Sequence, residues 1–194
     1  MSQMAPRGTE SIPGIDREGW LEGAERRPSP HWDERPPDAA IDLLVVHNIS
    51  LPPGEFGGPW IDDLFLGRLD PEAHAYFEVA CAAGRVSTHL LIPRDGRLLQ
   101  YVPMERRAWH AGYSCFAGRE RCNDFSIGIE LEGDDFTPFE PVQYDTLTRA
   151  ARAIMGRYPA IGPGRIIGHS DIAPGRKTDP GPLFDWDLFL ASIR

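Results

Sequence analysis

The chain has 194 residues, 41% of them hydrophobic and 25% charged, with a formal net charge of −9 and a pI near 5.1. That length and mixture specify a soluble globular protein with one proper core. The acidic balance argues against nucleic acid and anionic membrane surfaces, which need a basic footprint, and favours a small-molecule substrate.

Residues 1–18 are polar and broken by Pro6, Gly8, Pro13 and Gly14, which predicts a disordered tail. No apolar run of signal-peptide or membrane length is found, so the expected location is the cytoplasm. Cys81, Cys115 and Cys122 form no framework and read as reduced thiols. Trp20-Leu21 begins the ordered part. Residues 19–40, with Pro28, Pro30, Pro36 and Pro37, predict an extended arm lying across the domain.

Ile41 to Val46 is nearly continuously apolar and predicts a buried strand, with His47 at its end. The Gly- and Pro-rich span 51–85 follows as an insertion. It carries a short helix opened by Pro59 and another from Pro71 to about Ala82, and it is a candidate wall or lid. Thr88 to Pro93 and Arg97 to Val102 predict a hairpin turned at Arg94-Asp95-Gly96. A long loop from Trp109 to Asp124 precedes the strand Ser126 to Leu131. Its alternation sets Ile127, Ile129 and Leu131 on one face, with Gly128 and Glu130 on the other. Pro141 to Tyr158 has a helical apolar stripe, Arg165 to Gly168 is the last core strand, and residues 183–194 hold a terminal helix. Together these predict an α/β fold with a central mixed β-sheet flanked by helices, the domain proper occupying residues 41–182.

The chemistry gathers at strand ends. Catalytic zinc sites keep three protein ligands and an open position, and His47, His169 and Asp179 would supply that set. His31, His74, His89 and His110 compete as ligands; His89 and His110 could line the cleft without touching metal. Glu130, an acid within Ile-Gly-Ile-Glu-Leu-Glu, is a candidate general base, with Gly128 leaving room for a ligand and Glu132 competing for the role. Lys177, two residues before Asp179, could stabilise an oxyanion, whereas Arg176 reads as solvent-facing. No Gly-rich phosphate loop, His-Glu-x-x-His helix or Gly-x-Ser-x-Gly elbow is present.

Val45-Val46-His47-Asn48-Ile49-Ser50, Trp109-His110-Ala111-Gly112, Asn123 to Glu130, and Gly168-His169 through Lys177-Thr178-Asp179-Pro180-Gly181-Pro182 resemble the amidase-2 type N-acetylmuramoyl-L-alanine amidases. These share a fold with peptidoglycan-recognition proteins. Leu51 to Pro59 and Arg119 to Phe125 resemble the cytoplasmic subgroup that acts on 1,6-anhydro muropeptides in peptidoglycan recycling. The resemblance covers about Gly19 to the C-terminus. It implies one Zn²⁺ per chain at His47, His169 and Asp179, Glu130 as proton acceptor and Lys177 as transition-state stabiliser. It also implies muropeptide contacts from Asn48, Arg85, Trp109 and Arg121 in a monomer. Binding modules of this fold lack a zinc ligand; the intact set here predicts turnover.

Overall fold

A computed structural model of the protein describes residues 12–82 and 84–194. In chain order its elements are β1 (Glu25–Arg26), β2 (Trp32–Glu34), β3 (Leu43–Ile49), α1 (Trp60–Phe65), α2 (Phe77–Ala82), β4 (Leu90–Ile92) and β5 (Leu99–Gln100). There follow β6 (Arg106–Ala108), β7 (Cys115–Phe116), β8 (Arg119–Glu120), β9 (Ser126–Glu132), α3 (Pro141–Arg157), β10 (Ile166–Gly168), α4 (His169–Ile172) and α5 (Trp186–Ser192). Six strands form one sheet in the order β1-β5-β4-β9-β3-β10. Strands β4, β9, β3 and β10 are parallel, and β5 closes antiparallel on β4, so the sheet is mixed as expected. Between β4 and β5, Gly96 turns at φ +78° and its N–H donates to the Pro93 carbonyl, the predicted hairpin.

Strands β3 and β9 lie at the centre, which explains their composition. Leu43, Leu44, Val45 and Val46 are fully buried, as are Ile127 and Ile129. A strand with neighbours on both sides and layers on both faces has no place for solvent-facing residues. One face is covered by α3 and α5: Leu147, Ala150, Ala151, Ile154 and Phe189 pack with Leu44, Val46, Ile127 and Ile129. Each large apolar side chain so buried contributes roughly 1.5–3 kcal/mol. Gln143 ties α3 to the sheet end. Its Oε1 accepts the Glu140 N–H at 3.0 Å, and its Nε2 donates to the carbonyls of Ile92 and Glu132 at 3.0 Å. The other face carries Leu43 and Val45 against Ala111, Cys122, Phe125 and Ile172. Beyond it, α1 and α2 enclose a second apolar cluster around Phe65, Phe77 and Tyr101.

Several elements differ from the sequence expectation. β3 runs on through His47 and Asn48 to Ile49, because β9 continues to pair with it as far as Glu132. The helix expected from Pro71 starts only at Phe77; ahead of it the Asp70 and His74 side chains accept the N–H groups of Glu72 and Tyr76, holding turns instead. The expected disorder over residues 1–18 is corrected for its second part, and residues 1–11 lie outside the described residues. Asp16 Oδ1 accepts the N–H groups of Glu18 and Trp20 at 3.0 and 2.9 Å, and Ile15 bridges to Leu21. This side-chain-capped turn orders the segment despite its polarity. The arm joins the sheets: β1 pairs with β5, and β2 pairs with β6, a strand the sequence did not suggest.

Candidate metal and catalytic site

The parallel register places His47 of β3 directly beside Glu130 of β9. Since both belong to the face opposite α3, both look into one cleft of about 510 Å³. β10 is the other neighbour of β3, and His169 opens α4 immediately after it. Asp179 is drawn in by the backbone: its carbonyl accepts the Ser170 N–H at 3.0 Å. His47 Nδ1, His169 Nδ1 and Asp179 Oδ2 then form a triangle with sides of 3.0 Å. Among the described residues this is the group of His, Cys, Asp or Glu side chains able to hold a metal ion.

The donors themselves test the fit. His169 Nε2 faces the Ala111 carbonyl at 3.1 Å, and a carbonyl only accepts, so that nitrogen carries the hydrogen and Nδ1 is left bare. Arg176, 3.4 Å from the same nitrogen, spends its guanidinium on the carbonyls of Ala111 and Tyr113 at 2.7 Å. It is exposed, as the sequence suggested, while its guanidinium also holds these two carbonyls. A tetrahedral ion with bonds of about 2.0 Å spaces its ligand atoms by roughly 3.3 Å. The triangle is within a few tenths of an ångström of that spacing and suits a small divalent cation.

Electrostatics agree. Burial pushes the His47 imidazole down to about 4, against the pull of Asp179, so it is a neutral ligand at pH 7. Burial opposes ionisation of Asp179, but hydrogen bonds with His169 and His47 outweigh it and hold its carboxyl well below the usual range. Glu130 behaves oppositely: burial, then the neighbouring Asp179 charge, push its carboxyl well up, and only Lys177 opposes them. Glu130 Oε1 lies 3.9 Å from His47 Nδ1, and its Oε2 is buried with no hydrogen-bond partner.

The competing residues resolve by geometry. Glu132 is committed to structure, accepting the N–H groups of Gly57 at 2.6 Å and Arg94 at 3.0 Å. His89 is buried beside the β9 backbone, its Nδ1 accepting the Gly128 N–H at 3.0 Å. His110 lines the cleft. It does not join the metal-capable triangle, and its Nδ1 lies 2.9 Å from His47 Nε2. The space left by Gly128 is filled by the His110 ring, which corrects the expectation that a ligand sits there. His31 stacks on Trp109, and His74 is an exposed turn residue.

Lys177, Asn48 and Trp109 line the cleft. Asn48 is held by Asp135 Oδ1 at 2.9 Å and the Pro180 carbonyl at 3.1 Å, and Trp109 Nε1 donates to Asp33 Oδ1 at 3.1 Å. Arg121 is largely exposed, ion-pairs with Asp124 at 3.2 Å, and shares an adjoining depression with Trp109. Arg85 is exposed and stands off the cleft wall, whereas Val86 and Ser87 form part of it. Tyr76 and Thr178 also line the cleft. Both were missed, since nothing in their local pattern marks them.

Residues 37–182 match the family model described as N-acetylmuramoyl-L-alanine amidase. The chain belongs to that amidase family. A relative from Enterobacter cloacae, 1,6-anhydro-N-acetylmuramyl-L-alanine amidase AmpD, is 61% identical over 176 residues, which span 90% of this chain and 92% of the relative. The crystal structure of a selenomethionine AmpD derivative superposes with a TM-score of 0.88 at 60% identity, covering 91% of this chain and 98% of that one. The E. coli amidase AmiD, solved with anhydro-N-acetylmuramic acid-L-Ala-D-γ-Glu-L-Lys, superposes at 0.58 with 32% identity, covering 94% of this chain and 66% of that one. In this chain the sheet topology joins His47, from the first half of the domain, to His169 and Asp179 near its end in one metal-capable group.

Proposed function

We propose that this amidase is zinc-dependent and hydrolyses the amide between 1,6-anhydro-N-acetylmuramic acid and L-alanine in soluble wall fragments. The observation that carries the proposal is the triangle of two bare-nitrogen candidates and a carboxylate beside a buried acid with an unpartnered oxygen. Zinc held by His47, His169 and Asp179 would supply the Lewis acidity that makes water nucleophilic near neutral pH. Glu130 takes the proton of the attacking water and returns it to the departing L-alanine amine; its raised pKa suits a group that must accept and give back a proton. Lys177, lining the same cleft, offsets the negative charge that develops on the lactyl carbonyl oxygen.

Asn48 and Trp109 border the reacting end, Trp109 offering a flat apolar face to the sugar. Arg121 and Arg85, both exposed, would meet the stem-peptide carboxylates by bidentate pairing where the peptide leaves the cleft. Residues of the 51–85 insertion, among them Leu51, Leu64 and Tyr76, wall the cleft and restrict it to a short glycan end. All of these groups come from one chain, so the enzyme acts as a monomer. The three cysteines are free thiols, which suits the reducing cytoplasm, where imported soluble fragments are recycled. Among the described residues no helix is long and apolar enough to cross a membrane.

The test is mass spectrometry of products from an anhydromuropeptide digest, before and after strong chelation and with zinc restored. The expected products are anhydro-N-acetylmuramic acid and a free stem peptide, lost on chelation and regained with zinc. Full activity in metal-free protein would remove zinc from the proposal. In a competition assay, soluble anhydromuropeptides should be cleaved at least about a hundredfold faster in kcat/KM than intact sacculi, roughly 2.7 kcal/mol of discrimination. Equal rates would place the chain among wall-remodelling enzymes instead.

A further inference from the structure

His47 has two nitrogens, and its use as a metal ligand depends on which one is bare. Its Nδ1 points into the triangle with His169 and Asp179. Its hydrogen must then sit on Nε2, in a buried region where an unpaired N–H costs free energy. Nε2 lies 2.9 Å from His110 Nδ1. On the far side of that ring, His110 Nε2 lies 3.2 Å from Ser126 Oγ. The two rings meet nearly edge to face, with planes at 84° and centroids 4.9 Å apart. A continuous hydrogen-bond line therefore runs from the metal-capable triangle through His47 and His110 into β9.

The backbone is shaped around that line. An ideal Cβ on Gly128 would lie 2.6 Å from His110 Cγ and 2.7 Å from its Nδ1, so any other residue on this central strand would displace the ring. Glycine is poor in a strand interior and often marks close approach of another group. Here the group is an imidazole from a loop. Gly128 is itself immobilised, its N–H donating to His89 Nδ1 and its carbonyl accepting from Thr88 Oγ1, both at 3.0 Å. The floor beneath His110 is thus built and fixed.

We infer that His110 is a positioning residue, seated on Gly128 and anchored by Ser126, that accepts the His47 Nε2 hydrogen and so presents His47 Nδ1 bare to the metal. This rests on the zinc reading above. Groups that orient a ligating imidazole typically change metal affinity by 10–100-fold when removed. Asparagine and leucine have nearly the same shape, but only asparagine places an acceptor where His110 Nδ1 stands. His110→Leu should therefore weaken zinc binding by about 10–100-fold, and His110→Asn should stay within a few-fold of wild type. Gly128→Ala, which alters no polar side chain, should also weaken it by pushing the ring aside.

The experiment is competition for zinc between the full chain and a chromophoric chelator, with the Tm of each metal-free protein measured in parallel. Nitrogen NMR of the histidines should show zinc-loaded His47 protonated at Nε2 in wild type and His110→Asn. Weakened binding in His110→Leu at an unchanged metal-free Tm, with rescue by asparagine, supports the assignment. Equal affinity of all three proteins, or equal loss in both variants, overturns it. If His110→Leu does not fold, the Gly128→Ala affinity decides, and a wild-type value there overturns the assignment. Wild-type protein that fails to bind zinc refutes the metal reading instead, so the two failures are distinct.

Discussion

Arg35 of the arm is half-buried and Glu130 of the central strand β9 is buried, and the fold treats the two charged residues oppositely. Arg35 donates to the carbonyls of Met104, Asn123, Asp124 and Ser126 at 2.8–3.2 Å. Burial pulls its guanidinium down only to about 10, so it stays charged at neutral pH. Glu130 has an oxygen with no partner, and its burial is uncompensated. A buried charge with its hydrogen bonds filled holds segments together. One left short of partners is a cost that folding alone does not explain, and it marks a group kept for chemistry.

The largest effect should come from breaking the satisfied partner. Arg35→Met leaves four carbonyls without their donor and releases the arm from the loop before β9. It should destabilise the protein by about 3 kcal/mol or more in a denaturant melt, with kcat of the folded protein near wild type. A loss below about 1 kcal/mol would erase the contrast. Glu130→Gln should do the reverse, lowering kcat at least about a hundredfold, or about 2.7 kcal/mol of barrier, while the metal-free Tm holds or rises. Turnover close to wild type would shift the base role to another group.

The smallest effect sharpens the comparison through pH. The folded pKa of His47, about 4, lies below its ordinary 6.5, so its contribution is present above about 6.5 and is lost as pH falls towards 4. At pH 5 that amounts to about 2 kcal/mol for His47 alone. His89 and His110 are also driven well down, chiefly by burial, and act with the same sign. Glu130, driven up, acts with the opposite sign, so the test uses chelated Glu130→Gln protein: urea melts at pH 7.5 and pH 5 should show this loss, whereas equal midpoints would mean the imidazoles are not buried neutral.

The parts legible in the sequence were those whose signal is local. Leu43 to Val46 and Ser126 to Glu132 declared central strands by apolar runs and alternation, and α3 by its stripe behind Pro141. His47, His169 and Asp179 were legible because ligand types stand at the ends of such runs. The arm's pairing was not, since β1 and β2 are held by partners about 70 residues on rather than by their own pattern. Gly128 announced a vacancy through alternation, but the tenant, His110, comes from a loop with no periodicity. Arg176 read as solvated and is exposed, but nothing local reveals the carbonyls of Ala111 and Tyr113 that receive its guanidinium.

The central place of β3 also sets the order in which the molecule can be completed. Its two hydrogen-bonding edges are taken by β9, beginning at Ser126, and β10, beginning at Ile166, both synthesised long after it. As the chain leaves the ribosome, Leu-Leu-Val-Val stands with neither edge paired until the second half of the protein exists. Parallel pairing across such separations is slow, because loop closure must precede any reward. An unpaired apolar strand is what chaperones and other nascent chains bind. The same placement that brings His47, His169 and Asp179 together from both ends of the domain therefore leaves the metal-capable group unassembled and the nascent chain aggregation-exposed until nearly its last turn is made.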